Sequence, residues 1–264
     1  MKVNRAIFAI ATLTMSFSLP VWAEKSLHKH LTLPASKVMA LHAETAVRNL
    51  TINTQPNGNV IQVTAYLPNN NSHESGYVFE LVQTQEAAEL KAYPSQREHA
   101  VMDLEVLLPD FVELILVDDA SHITLNNLSA KANIQDGAGD LIMSQVENVT
   151  IMDKSGDIHI DNQGLEKYSY IKIQDGSGTI SIAKVRGDVT INDKSGSIAI
   201  SDIKGNVNVN DGSGDIVVQQ VSEGVIINDG SGDIIVHSSD SLAVLESGSG
   251  SLSYEAVKGE VIVK

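Results

Sequence analysis

The chain has 264 residues, with 18 Lys and Arg against 33 Asp and Glu, a formal net charge of −15 and no cysteine. That balance argues against nucleic acid and anionic lipid surfaces as partners, and the missing cysteine excludes disulfides and thiol-linked lipid. One Trp and four Phe leave little for the stacking platforms of typical sugar or single-strand nucleic-acid grooves.

In chain order, residues 1–23 have the form of a secretory signal peptide: Lys2 and Arg5, an apolar run from Ala6 to Phe17, and Val21-Trp22-Ala23 as the cleavage site. The expected mature protein starts at Glu24 and is periplasmic or secreted. Without Lys2 and Arg5 it keeps 16 basic against 33 acidic residues, and no later stretch is long and apolar enough for a transmembrane segment. Residues 24–46 read as a lead-in segment. Residues 47–117 read as atypical capping coils. Within them Tyr77–Val82 and Glu89–Tyr93 predict a hairpin insertion, with a short helix over 84–90 as the alternative. Met102–Leu108 alternates as a strand, and Pro109 marks a corner.

From residue 118 to 264 the pattern is regular. A six-residue turn-and-strand start recurs seven times, beginning at Asp136, Asp153, Asp175, Asp193, Asp211, Asp229 and Ser247, with spacings of 17, 22, 18, 18, 18 and 18. A fixed period of this kind marks a solenoid in which each repeat is one coil. Within one coil, Val189, Ile191, Ile198 and Ile200 alternate with Thr190, Asn192, Ala199 and Ser201, as half-buried strands do. Ile203 is expected to point inward at the second corner. The prediction is an all-β, single-stranded parallel β-solenoid (β-helix) with coils of about 18 residues and an irregular N-terminal capping region.

Position four of the turn is Gly in all seven copies, so it is the position that needs positive φ or close backbone approach. Position one is Asp in six, a residue that accepts hydrogen bonds from backbone N–H groups two or three residues on. Stacked at coil spacing these carboxylates repel one another. Turn N–H donors are the simpler compensation, with Lys154 and Lys194 nearby. Calcium is the sharper one, with Asp211, Asp215, Asp229 and Asp233 as candidate ligands. The loop spacing differs from that of a calcium roll, so the structural role is preferred and no cofactor or metal is expected.

Gly-Ser-Gly without a following Gly-Lys-Ser/Thr does not make a phosphate loop. The turn serines lack a paired His and are not nucleophiles. His28 and His30 could bind a transition metal as a pair, but a frayed N-terminal segment explains such residues better. One coil carries four extra residues within Asp161–Tyr170. Lys167, Tyr168 and Tyr170 there break an otherwise Ser/Asn/Asp surface and form a candidate binding loop.

The strand-then-Pro block Leu104–Pro109 and the coils with their Gly187-Asp-Val and Gly205-Asn-Val steps resemble the bacterial putative-adhesin family, a domain of unknown function built of β-strand repeats. The resemblance covers about residues 47–264. It implies an exported or envelope-associated β-solenoid, and the family brings no catalytic motif. The expected function is a non-enzymatic binding or scaffold protein whose partner is an envelope protein or polysaccharide. The alternatives are a polysaccharide-acting β-helix enzyme, disfavoured by scarce Arg and aromatics, and a calcium-dependent repeat protein. The C-terminal strand Glu260–Lys264 has no polar cap after it, and self-association through that coil is a further expectation.

Overall fold

The structure is a computed structural model and describes residues 25–68, 76–85, 87–96, 101–165 and 167–264. The expected leader and its cleavage site lie outside the described residues. Among the described residues every regular element is a strand, and no helix is long and apolar enough to cross a membrane.

The N-terminal region contributes β1 (Lys25–Pro34), β2 (Ala40–Thr45), β3 (Asn49–Gln55), β4 (Val60–Pro68), β5 (Tyr77–Thr84), β6 (Ala87–Pro94) and β7 (Asp103–Pro109). Regular coils follow as strand pairs: β8 (Glu113–Asp118) and β9 (His122–Asn126), β10 (Lys131–Gln135) and β11 (Leu141–Ser144), β12 (Asn148–Met152) and β13 (Ile158–Asp161), β14 (Ser169–Gln174) and β15 (Ile180–Val185). Then come β16 (Gly187–Asp193) and β17 (Ile198–Ile203), β18 (Val207–Asp211) and β19 (Ile216–Val221), β20 (Gly224–Asp229) and β21 (Ile234–Ser239), β22 (Ser241–Glu246) and β23 (Leu252–Val257), and last β24 (Val261–Val263).

Each coil gives one strand to each of two 12-stranded sheets. Sheet I runs β1-β4-β7-β3-β9-β11-β13-β15-β17-β19-β21-β23, and sheet II runs β5-β6-β2-β8-β10-β12-β14-β16-β18-β20-β22-β24. From β8 onward equivalent strands pair in parallel, with a register shift after Ile227 between β20 and β22, so equivalent side chains stack. Ile158, Ile180, Ile198, Ile216 and Ile234 form one ladder in sheet I. Val149, Ile171, Val189, Val207 and Val225 form another in sheet II. All are buried. β-branched side chains suit such pleated, stacked surfaces, and each contributes about 1.5–3 kcal/mol by leaving water.

Two corners close each coil. At or just past the end of the sheet I strand, one residue takes a left-handed conformation: Asn127, Gln145, Lys184, Asp202, Gln220, Ser238 and Ala256 have φ between 53° and 65°. This residue drops out of the pairing ladder, as Lys184 and Asp202 do between Ala183↔Ser201 and Val185↔Ile203. The next side chain then turns inward, so Val185, Ile203 and Val221 fill the corner.

The N-terminal end departs from the expected order. Residues 24–46 are not a lead-in. They include β1 and β2, and β2 sits inside sheet II between β6 and β8 with Leu41 and Ala43 buried. Its alternating Leu41, Ala43 and Thr45 match the inward parity of its neighbours, which is why it is recruited into the sheet. Residues 77–94 form a hairpin, β5 against β6, and β6 also pairs in parallel with β2 and brings Ala88, Leu90 and Ala92 into the core. Of the span 84–90 considered as a helix, Thr84 ends β5 and residues 87–90 are strand in β6. The coil made by β2 and β3 is therefore flanked by later coils on both sides.

Antiparallel strands finish this end, with β1 on β4, β4 on β7, and β5 on β6. At the other end β23 and β24 pair on one side only.

Candidate functional site

The repeated turn between sheet II and sheet I is the densest chemical feature. Its position-four glycines, Gly139, Gly156, Gly178, Gly196, Gly214 and Gly232, have φ between 122° and 146°. A Cβ on Gly196, Gly214 or Gly232 would lie 1.8 Å from the carbonyl oxygen of the glycine one coil below. Close stacking is also what bonds the turns together. The Gly196 N–H donates to the Ser213 carbonyl at 2.9 Å, and the Gly214 N–H to that of Ser231 at 2.8 Å.

Position one points inward. In β18 the burial alternates through Val207, Val209 and Asp211, all buried, with Asn208 and Asn210 exposed. Asp193, Asp211 and Asp229 are in register. Asp136, Asp153 and Asp175 continue the column, each donating its backbone N–H to the coil above at 2.9 Å. These six residues are 0–7% exposed. One oxygen of each is held by its own turn: Oδ1 accepts from Gly137 N–H at 2.7 Å, from Ser155, Ser195, Ser213 and Ser231 N–H at 3.1–3.2 Å, and from both Gly176 and Ser177 N–H under Asp175. The other oxygen, Oδ2, is buried in all six without a hydrogen-bond partner.

Burial pushes Asp136 up to about 8, and Asp175 and Asp211 up to about 6, with neighbouring aspartates of the column adding to the effect. Asp153, Asp193 and Asp229, which alternate with them, are also raised, first by burial. The N–H donors of each turn pull the other way but do not prevail.

The four calcium candidates do not converge. Asp211 and Asp229 face the core, whereas Asp215 and Asp233 begin the next strand on the exposed side. The outer pair has its own role. Asp215 Oδ1 accepts from the Asp233 N–H at 3.0 Å, and Asp233 Oδ1 from the Ser251 N–H at 2.8 Å. Position five thus staples one coil to the next, and the Ser251 bonds hold the Asp233 carboxyl below its ordinary value. Among the described residues no three His, Cys, Asp or Glu side chains form a group that could hold a metal ion. His30 instead lies 2.9 Å from the Thr64 hydroxyl.

The extra residues of the long coil lie at the entrance to β14. Lys167 reaches Glu147 at 2.9 Å. Tyr168 donates its hydroxyl to Asp188 Oδ2 at 2.7 Å. Asp188 also accepts from the backbone N–H of Asn206, which is the larger cause of its lowered pKa. The Asn206 amide reaches Glu223 in turn at 2.7 Å. This polar chain, which spacing alone did not reveal, fixes Tyr168 in place while leaving it 66% exposed, beside Tyr170 at 39%. Separately, a cleft of about 570 Å³ lies where the capping strands meet the regular coils, lined by Glu44, Tyr93, Asp119, Asp136 and Lys154 among others.

A two-sheet solenoid of stacked parallel coils, tied by turn glycines and carboxyl columns, defines a repeat protein. The chain belongs to the Toastrack DUF4097 family, which matches residues 39–258. Two solved structures are similar: a putative cell adhesion protein from Clostridium sporogenes ATCC 15579, at 9% identity over 90% of this chain and 100% of that chain (TM-score 0.45), and a putative adhesin from Bacteroides fragilis NCTC 9343, at 16% identity over 90% and 97% (TM-score 0.41). No curated protein sequence matches significantly.

Proposed function

We propose that this chain is an exported, non-enzymatic solenoid that binds an envelope protein or polysaccharide, or holds such a partner as a scaffold. Membership of the Toastrack DUF4097 family supports a binding or scaffold role. The observation that carries the reading is the Asp161–Tyr170 loop. It sets out two exposed tyrosines, Tyr168 and Tyr170, and holds Tyr168 through Asp188. Preorganised aromatic side chains supply contact area at low entropic cost.

Cell fractionation with mass spectrometry of the N-terminus tests the export step, for which an exported protein beginning at Glu24 is expected. Co-sedimentation with purified cell-wall polysaccharide and capture on purified envelope proteins test the binding step. A Tyr168→Ser/Tyr170→Ser variant that stays folded should lose most of the binding. Equal binding by the variant and the wild-type protein would contradict the assignment of this loop.

A further inference from the structure

We infer that the aspartate column Asp136, Asp153, Asp175, Asp193, Asp211 and Asp229 is a proton-binding site inside the solenoid, in which the carboxyls of neighbouring coils share protons.

The column has an internal comparison one residue away. Asn192, Asn210 and Asn228 immediately precede Asp193, Asp211 and Asp229 and stack in the same register on the outer face. Their amides close a ladder: Asn210 Nδ2 donates to Asn192 Oδ1 at 3.0 Å and Asn228 Nδ2 to Asn210 Oδ1 at 2.6 Å. An amide carries both donor and acceptor, but an ionised carboxylate carries acceptors only. The inner column therefore cannot close the same ladder unless hydrogen is added.

Asp118, one coil before Asp136, shows what the fold builds where donors are supplied. Its Oδ1 accepts from the N–H groups of Ala120 and Ser121, and its Oδ2 from the hydroxyls of Ser121 and Thr45. Both oxygens are satisfied. In the six coils above, glycine stands where Ser121 stands, and Oδ2 has no donor. A buried acceptor left unmatched costs about 1–3 kcal/mol, more when charged. Adjacent coils stack about 4.8 Å apart, so their column carboxylates also repel. A proton on every second carboxyl removes both costs. All six carboxyls are raised, first by burial, which is the direction that arrangement requires.

The surroundings favour the proton. Asp140 adds negative charge near Asp153, and Asp215 and Glu246 do so near Asp229, while Asp118 adds to Asp136. Lys154 and Lys194 are the nearest cations in the turns and point outward. After each turn the first inward positions of sheet I are Ile158, Ile180, Ile198, Ile216 and Ile234, all buried and uncharged. A hard cation would want six or more oxygens, and each coil offers one that is free.

The test compares wild-type protein with Asp211→Asn. The amide keeps an oxygen for the Ser213 N–H and supplies N–H donors to Asp193 or Asp229 in place of the shared proton. At pH 8 the variant should melt above wild type. At pH 5 the two should melt together, so the variant has the flatter pH profile. A variant that is less stable by the same margin at both pH values would overturn the inference. Should the variant not fold, proton release on unfolding the wild-type protein in unbuffered solution at pH 6 decides it. Net release is expected. Zero release, the result for ionised carboxylates bridged by water, would overturn it. So would calcium-dependent stabilisation at pH 8 that EDTA reverses.

Discussion

Asn210 donates its side-chain amide to Asn192 one coil below at 3.0 Å, while the residue after each, Asp211 and Asp193, turns into the core in the same register. One coil step thus carries a closed polar ladder outside and an open one inside. Asn210 sits in the middle of the outer ladder, bonded on both sides. Asn210→Ala should cost about 1 kcal/mol, the net worth of exposed neutral hydrogen bonds, with no change in the pH profile. Denaturant titration at two pH values checks both parts.

The turn glycines should be the least replaceable residues of the chain. Gly196→Val and Gly232→Val each place a branched side chain at φ 144° and 146°, with a Cβ 1.8 Å from the backbone oxygen below. Strain and overlap together should cost about 3 kcal/mol or more. Ser195→Ala removes only a 3.3 Å bond to the Gly176 carbonyl and should cost about 1 kcal/mol or less. Melting curves that place Gly232→Val level with wild type would refute the stacking account.

Stability should fall as pH rises through the mildly acidic and neutral range. The column carboxyls have folded pKa values above their unfolded ones, so the native state binds more protons in that window. For Asp175 and Asp211 the window runs from about 4 to about 6, and for Asp136 to about 8. Asp188 and Asp233 are shifted the other way. Their contribution is present above the unfolded carboxylate value and is lost as pH falls below it. A stability maximum near pH 4–5 is therefore expected from chemical denaturation across pH, and a maximum at pH 8 would be the wrong sign.

Chelator should leave the fold intact. Asp211 and Asp229 face inward and Asp215 and Asp233 outward, so no two consecutive turns present a convergent set. Circular dichroism melts with and without EDTA should superimpose. A drop in melting temperature with EDTA would bring these four residues back as ligands.

Much of this was legible in the sequence because repeats are compared with one another. Seven copies of one turn identify Gly196 and its equivalents as the sterically demanding position, and the structure gives the contact that makes it so. The inward turn of Ile203 follows from the corner pattern in the same way. Other features leave no such trace. A period does not say on which side of the β2–β3 coil later strands land, and Leu41 and Ala43 lack a turn signature to place them. The left-handed corner is filled by Asn127, Gln145, Lys184 and Asp202, residues with nothing in common except their position. The inward direction of the aspartates was readable. Strict alternation through Val207, Val209 and Asp211 points to it, but aspartate beside Gly-Ser-Gly reads first as an exposed turn.

The carboxyl carbons report the column most directly. A ¹³C NMR titration of the aspartate side chains in the folded protein separates protonated from ionised groups residue by residue. At pH 5 the carbons of Asp136, Asp175 and Asp211 should show the protonated shift, and Asp136 should titrate last, near pH 8. Six column carboxyls already fully ionised at pH 5, titrating like those of an unfolded chain, would contradict the shared-proton core.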